Sequence, residues 1–272
     1  KTRNNMNPRN TKFWTRDSNG VKELRDLKRE HSLWKGRVYS AIKQDLIDEA
    51  ILIYDEIYDN QIVIRVGEEE QSVRDGCIYQ KDECYIRPND VVLDLGGNIG
   101  IFSRFAADRG AKVIYSFEPI IENFELLMLN KPDNCQPHRI AVSDKDNEAI
   151  EMTYCPTDAG ESSFIIEKYQ EIQEKQVVMS MTANTLINNG VIEQPDFIKM
   201  DIEGAEILAF KGISDEILSK TRCISMELHN PVLPEEDVLN LYLRLERLGF
   251  SVFTLTQKDK CSMVWWVNEK LK

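Results

Sequence analysis

The sequence has no apolar run approaching the roughly 18–20 residues that a membrane helix needs. Its longest candidates, around Ala50–Tyr54 and Met263–Val267, are of strand length. The first residues, Lys1-Thr2-Arg3-Asn4-Asn5, lack the apolar segment of a secretory signal. Cysteines are never paired as C-x-x-C. Cys77, Cys84, Cys135, Cys155, Cys223 and Cys261 are scattered, and the spacing of Cys77 and Cys84 matches no zinc signature. Cys223 stands before Ile224-Ser225-Met226, where a thiol behaves as a small hydrophobe. These absences predict reduced cysteines, a cytoplasmic protein and no membrane partner. Internal repeats and low-complexity tracts are missing too, and histidine is scarce, with three in the chain.

What is present suits one α/β domain with an appendage: 272 residues, 42% hydrophobic and 29% charged, enough to bury a core. The net charge of −12 is unevenly spread. Up to Arg37 there are 11 basic and 4 acidic residues, a net of +7; the remainder has 23 and 42, a net of −19. An acidic body repels phosphate backbones, which argues against nucleic-acid binding by the main domain. The basic leader reads as a solvated terminus.

Residues 1–20 carry no periodicity and predict a loose arm. Val21, Leu24, Leu27, His31 and Trp34 have helical spacing, with Ser18 or Asn19 as a cap, and a second short helix is expected over Ala41–Ala50. Strand-like runs follow at Ile51–Tyr54 and Gln61–Val66, then an acidic turn, Glu68-Glu69-Glu70. Residues 1–60 are therefore read as an N-terminal arm and helical extension, and 61–272 as the main domain. From Pro88 strands alternate with helices: strand Val91–Leu95, a helix to Ala107, strand Lys112–Phe117, helix Ile121–Asn130, strand His138–Val142. Alternation of this kind predicts a doubly wound, mostly parallel sheet. Ala149–Tyr154, Ser162–Ile166 and Gln176–Met181 break the rhythm as an inserted hairpin region. It resumes with strand Phe197–Asp201, a helix from Ala205, strand Cys223–Leu228 and helix Glu235–Leu248. Strands Ser251–Leu255 and Cys261–Val267, with no helix between them, predict an antiparallel hairpin at the sheet edge.

Three clusters carry chemistry. After a buried strand, Asp94-Leu95-Gly96-Gly97-Asn98-Ile99-Gly100 makes a tight turn into a helix whose N-terminal N–H groups face a ligand. It is not a dinucleotide fingerprint, because Leu95 occupies the slot of the first glycine. Glu118, 22 residues beyond Gly96 at the end of the next strand, is placed to accept ribose hydroxyls. Asp201 and Glu203 lie just past the carboxyl end of a third strand, where open α/β sheets bind ligands. Two acids so spaced suit proton abstraction or cation binding. His229 ends the following strand on the same presumed ligand edge.

The strings Val92-Leu93-Asp94-Leu95-Gly96-Gly97-Asn98-Ile99-Gly100, Phe117-Glu118-Pro119, Ala141-Val142-Ser143-Asp144, Ile198-Lys199-Met200-Asp201-Ile202-Glu203-Gly204-Ala205-Glu206 and Glu227-Leu228-His229, in this order, resemble the FkbM-type methyltransferases. These are class I, S-adenosylmethionine-dependent enzymes. The resemblance covers about Gln61 to Phe253. Gly97 stands where Ala is usual, and Ala183-Asn184-Thr185 replaces a Leu-Asp-Asp-like stretch. The resemblance implies a Rossmann-like, seven-stranded sheet. It also implies a cofactor site of Asp94, Gly96, Gly97, Asn98, Gly100, Glu118, Pro119, Ser143 and Asp201. In it the glycine turn approaches the methionine moiety, Glu118 holds the ribose and the Ser143 region flanks adenine.

The expected reaction is methylation of a hydroxyl, that of a sugar in a glycan or glycosylated metabolite. Glu203 or His229 is expected as base, with Asp201 orienting the acceptor or a cation and Lys199 tuning the charge. A metal set of Asp201, Glu227 and His229, holding Mg²⁺ or Mn²⁺, is carried over from sugar O-methyltransferases resembling this acid pair. Metal-independent action is favoured, since His229 replaces a carboxylate. Two other readings are an RNA 2′-O-methyltransferase built on Lys199, Asp201, Lys211 and Glu227, and a cofactor-binding module without catalysis. A homodimer is left open.

Overall fold

In the computed structural model the backbone is described for residues 14–17, 20–23, 51–55, 60–64, 78–155, 158–163, 174–229, 233–258 and 261–272. Strands β1 (Trp14–Asp17) and β2 (Gly20–Glu23) form an antiparallel ribbon, as do β3 (Ile51–Asp55) and β4 (Asn60–Ile64). At 14–17 and 20 this corrects the expected loose arm, the rest of which lies outside the described residues, and it corrects the helix start: Val21 pairs with Arg16 across the first ribbon. The rest of that helix, the helix over 41–50 and the acidic turn at 68–70 lie outside the described residues.

The main sheet contains β5 (Val91–Leu95), β6 (Val113–Phe117), β7 (Cys135–His138), β12 (Phe197–Met200), β13 (Cys223–Leu228), β14 (Phe250–Lys258) and β15 (Cys261–Asn268). Its order is β14-β15-β13-β12-β5-β6-β7, and the five strands from β13 to β7 are parallel. The last two strands form the expected edge hairpin, β15 running antiparallel to both its neighbours. From β5 the chain winds outward through β6 to β7, then returns to β12 on the other side. The switch point therefore lies between β5 and β12, where such sheets open a crevice.

A smaller sheet, in the order β10-β9-β11-β8, is made of β8 (Ala141–Val142), β9 (Ala149–Cys155), β10 (Asp158–Ser163) and β11 (Glu174–Met181). The expected third strand, 138–142, is thus divided. Its first residue closes β7, and Ala141-Val142 crosses to pair with Ser180-Met181.

Both faces of the main sheet are covered, so its strands read as continuous apolar runs. On one face Val92, Ile114 and Phe197 pack with Ile101, Phe102 and Phe105 of α1 (Ile101–Asp108) and Leu126 of α2 (Ile121–Asn130). The other face packs Leu93, Leu95, Ile198, Met200 and Ile224 against three helices. These are α4 (Glu206–Lys211), α5 (Asp215–Lys220) and α6 (Glu235–Leu248). The helix α3 (Ala183–Asn188) is capped by Thr182, whose side chain accepts the Thr185 N–H. Ser214 caps α5 in the same way. Neither short helix was expected from periodicity. Among the described residues no helix is long and apolar enough to cross a membrane.

Candidate active site

An open pocket of about 610 Å³ lies at the switch point. Gly96, Asn98, Glu118, Pro119, Asp201 and Glu203 line it, so the structure brings together six residues singled out from three separate motifs. The opposing wall is apolar and comes from Ile120, Ile140, Ala141, Val142 and Met152.

The glycine turn is shaped by its neighbours. Gly96 has φ +83°, and a Cβ there would lie 1.7 Å from the Asp201 carbonyl oxygen. The loop after β12 thus approaches the turn as closely as a bare glycine permits. At Gly97 a Cβ would lie 2.2 Å from Ser116 Oγ, which explains glycine where the family resemblance leads one to expect alanine. Ser116 fills that space and donates to Asp94 Oδ2 at 2.9 Å.

Glu118 is buried. Its Oε2 accepts the Asn98 N–H at 2.9 Å, and its Oε1 accepts the Ile120 N–H at 2.9 Å. Burial pushes its pKa up to about 7, against the opposing pull of those backbone donors. Asn98 Oδ1 is buried with no hydrogen-bond partner in the protein. An acceptor on the pocket edge that the protein leaves unpaired fits a ligand donor. With the apolar wall opposite, the residues present fit S-adenosylmethionine.

Around β12 and β13 the acidic residues are arranged by His229. Its Nε2 lies 3.1 Å from Glu203 Oε2 and its Nδ1 2.9 Å from Glu206 Oε1. Glu206 is fully buried, and its Oε1 also accepts the Gly204 N–H at 2.9 Å. Burial alone would favour neutral His229, but its hydrogen bonds and charge contacts with the two carboxylates outweigh that and raise its pKa well above the histidine range. A ring donating from both nitrogens is an imidazolium. The Glu203 pKa is raised, by burial first and then by the charges of Asp201 and Glu227, with His229 opposing. Glu203 also has φ +53°, a left-handed conformation that costs an acidic residue about 1 kcal/mol or more.

Several expected roles change. His229 has both nitrogens engaged by carboxylates that raise its pKa, which disfavours it as the proton acceptor. Lys199 is buried behind the glycine turn, not on the pocket wall. Its Nζ is 3.3 Å from Asp94 Oδ1, donates to the carbonyls of Leu95 and Gly96, and lies under the rings of Tyr79 and Phe102. Asp94 is likewise fully buried, bound by Ser103, Ser116 and Lys199, and supports the turn from below. Gly97, Gly100 and Ser143 also stand off the pocket lining. Ser143 donates its N–H to the Met181 carbonyl, and the adjoining wall is Ala141-Val142 instead. The cation-competent cluster is Asp201, Glu203 and His229, so Glu203 replaces the expected Glu227. Lys211, needed for the RNA reading, is exposed and paired with Asp237 at 3.4 Å.

Residues not anticipated are Tyr79, Asn123 and Met152. Tyr79 donates to Asp201 Oδ2 at 2.5 Å from 122 residues upstream, and nothing local signals that contact.

Residues 94–252 match the methyltransferase FkbM domain. The hexuronic acid methyltransferase AglP of Haloferax volcanii is 23% identical over 151 residues, covering 54% of this chain and 59% of that protein. Methyltransferase 1 of Beauveria bassiana is 24% identical over 197 residues, covering 63% and 78%. The antimetabolite synthetase AmbE of Pseudomonas aeruginosa is 25% identical over 217 residues, 64% of this chain but 10% of the synthetase. The chain thus spans a tenth of AmbE and just under three fifths of AglP. Among solved structures, the FkbM methyltransferase of Methylobacillus flagellatus superposes with a TM-score of 0.46 at 16% identity, covering 68% of this chain and 45% of that one. With a family match over more than half its length, the chain belongs to the FkbM methyltransferase domain family.

Proposed function

We propose that the protein methylates a hydroxyl oxygen of a sugar, with Glu203 as the base. The observation that carries this reading is the Glu203 carboxylate. It is held on a strained backbone at the wall of the pocket that contains Glu118, with a pKa raised above the ordinary range. A sugar hydroxyl is a poor nucleophile near neutral pH, so its proton must leave as the oxygen attacks. S-adenosylmethionine supplies, when bound, an electrophilic sulfonium methyl. Glu118 and the Asn98 side chain would hold its nucleoside part. Asp201 would orient the acceptor hydroxyl and Glu203 would take its proton, as the oxygen–methyl bond forms and the sulfonium–methyl bond breaks to leave S-adenosylhomocysteine. His229, charged and fixed by Glu206, positions Glu203.

The similarity to AglP, a hexuronic acid methyltransferase, supports a sugar acceptor. The free, buried thiols of Cys84, Cys135 and Cys223 support a reducing, cytoplasmic setting. Incubation with methyl-labelled cofactor and a panel of sugars and glycosides tests the reading. Label in an ether linkage, lost in Glu203→Gln with S-adenosylhomocysteine binding retained, is the expected result. Binding without transfer to any acceptor would leave a cofactor-binding module.

A further inference from the structure

The family match begins at Asp94, yet one side chain at Asp201 comes from before it. The segment carrying Tyr79 is tied to the far end of the main sheet. Cys84 Sγ lies 3.7 Å from the Ile224 carbonyl, and Arg222 Nη2 donates to the Tyr85 carbonyl at 3.0 Å. Lys81 and Cys84 exchange two backbone hydrogen bonds. Tyr79 itself is 4% exposed. Its ring meets Phe102 edge-on, centroids 5.4 Å apart at 81°, and the Lys199 ammonium lies 4.9 Å from its centre. The ring is therefore fixed from two sides, and its hydroxyl has a set direction, toward Asp201 Oδ2.

Asp201 is held at its other end by its own N–H, which donates to the Leu95 carbonyl at 3.0 Å. With Oδ2 taken by Tyr79, Oδ1 is the remaining carboxylate oxygen. It is buried, has no hydrogen-bond partner in the protein, and belongs to a residue of the pocket wall. We propose that Tyr79 is a positioning residue for methyl transfer. Its hydroxyl locks the Asp201 carboxylate so that Oδ1 faces the acceptor hydroxyl, and the active site is thereby completed by a segment outside the family domain. The inference rests on the reading of Asp201 as the acceptor-orienting group. A preset carboxylate saves the acceptor complex the cost of ordering it, which acts on turnover.

Tyr79→Phe removes the hydroxyl and keeps the ring contacts with Phe102 and Lys199. With labelled cofactor and a panel of methyl glycosides, the expected result is a kcat reduced about ten- to a hundredfold, the range for one hydrogen bond to a charged group. The Tyr79→Phe/Asp201→Ala double variant should be no slower than Asp201→Ala alone, because both changes remove one unit. Full kcat in Tyr79→Phe, or losses that multiply, would overturn the proposal. Wild-type kcat in Asp201→Ala would instead remove the role given to Asp201, and the inference with it. A second arm needs no acceptor: in a crystal structure of Tyr79→Phe with S-adenosylhomocysteine, the Asp201 carboxylate should rotate, and an unchanged side chain sinks the proposal. Should that variant not fold, fluorotyrosine at position 79 keeps ring and hydroxyl. A kcat that tracks the donor strength of the phenol supports the role, and one indifferent to it refutes it.

Discussion

The Nδ1 of His229 lies 2.9 Å from Oε1 of Glu206, a fully buried carboxylate on the first turn of α4. This contact ties the end of β13 to the start of α4. Together with the contact to Glu203 it raises the His229 pKa, which disfavours this ring as the proton acceptor of the site.

The charge state of His229 is open to nuclear magnetic resonance. One imidazole C2 proton should show no titration between about pH 5 and 9, where an ordinary histidine changes charge near 6.5. That signal should vanish in His229→Gln. Since the folded-state pKa is raised, the stabilisation is complete below about 6.5 and is lost as the pH climbs toward the folded value. Glu206→Ala, which strips a buried pair of one partner, should cost about 3–5 kcal/mol in urea denaturation. A His229 that titrates normally would return it to the list of bases.

Cofactor affinity should depend on Glu118. Glu118→Ala should weaken S-adenosylhomocysteine by about 1.5–3 kcal/mol in calorimetry, the range for hydrogen bonds to a charged group. The ribose hydroxyls need the carboxylate as acceptor, and its pKa in the free protein is about 7. Affinity should therefore rise as the pH passes upward through 7 and fall about tenfold per unit below it, a dependence that Glu118→Gln abolishes. Stability of the free protein should move the other way. A raised carboxyl pKa favours the protonated folded form, so this contribution declines from about pH 4.5 to about 7. Affinity indifferent to both substitution and pH would remove Glu118 from the site.

Gly96 should tolerate no side chain. A methyl 1.7 Å from the Asp201 carbonyl oxygen, on a backbone with φ +83°, must push the acid loop away from the turn. Gly96→Ala should abolish measurable S-adenosylhomocysteine binding and lower the melting temperature, with Gly96→Val worse. Retained affinity in the alanine variant would show that the two loops separate freely.

Metal removal separates two chemistries at the acid pair. With the Nε2 proton of His229 directed at Glu203, activity is expected to survive EDTA. Silencing by EDTA with recovery on Mg²⁺ would show instead that Asp201, Glu203 and His229 gather around a cation. Glu206, at Nδ1, would then be the usual outer partner of a histidine ligand.

The amino-acid order alone determined the elements whose signals are local. Ile121–Asn130, Cys223–Leu228 and Glu235–Leu248 appear with the expected bounds, because periodicity, turn residues and length act within a few turns of chain. The same local logic placed Gly96, Glu118 and Asp201 at strand ends, and a parallel sheet then had to bring those ends to one edge. The tertiary structure decided what depends on distance across the fold. The six-residue helices α3 and α5 are too short to show a period and are held by their caps. The run 138–142 was divided between two sheets because Ala141-Val142 found a partner in Ser180-Met181, which no local pattern encodes. At the site, the order of residues supplied the types of group and packing assigned their roles. Lys199 was drawn under the glycine turn by Asp94, and the His229 pKa was raised by Glu203 and Glu206. Asp201 received Tyr79 from 122 residues away. A pKa or a side-chain direction is set by the atoms within a few ångströms, and those atoms are neighbours only once the chain has folded.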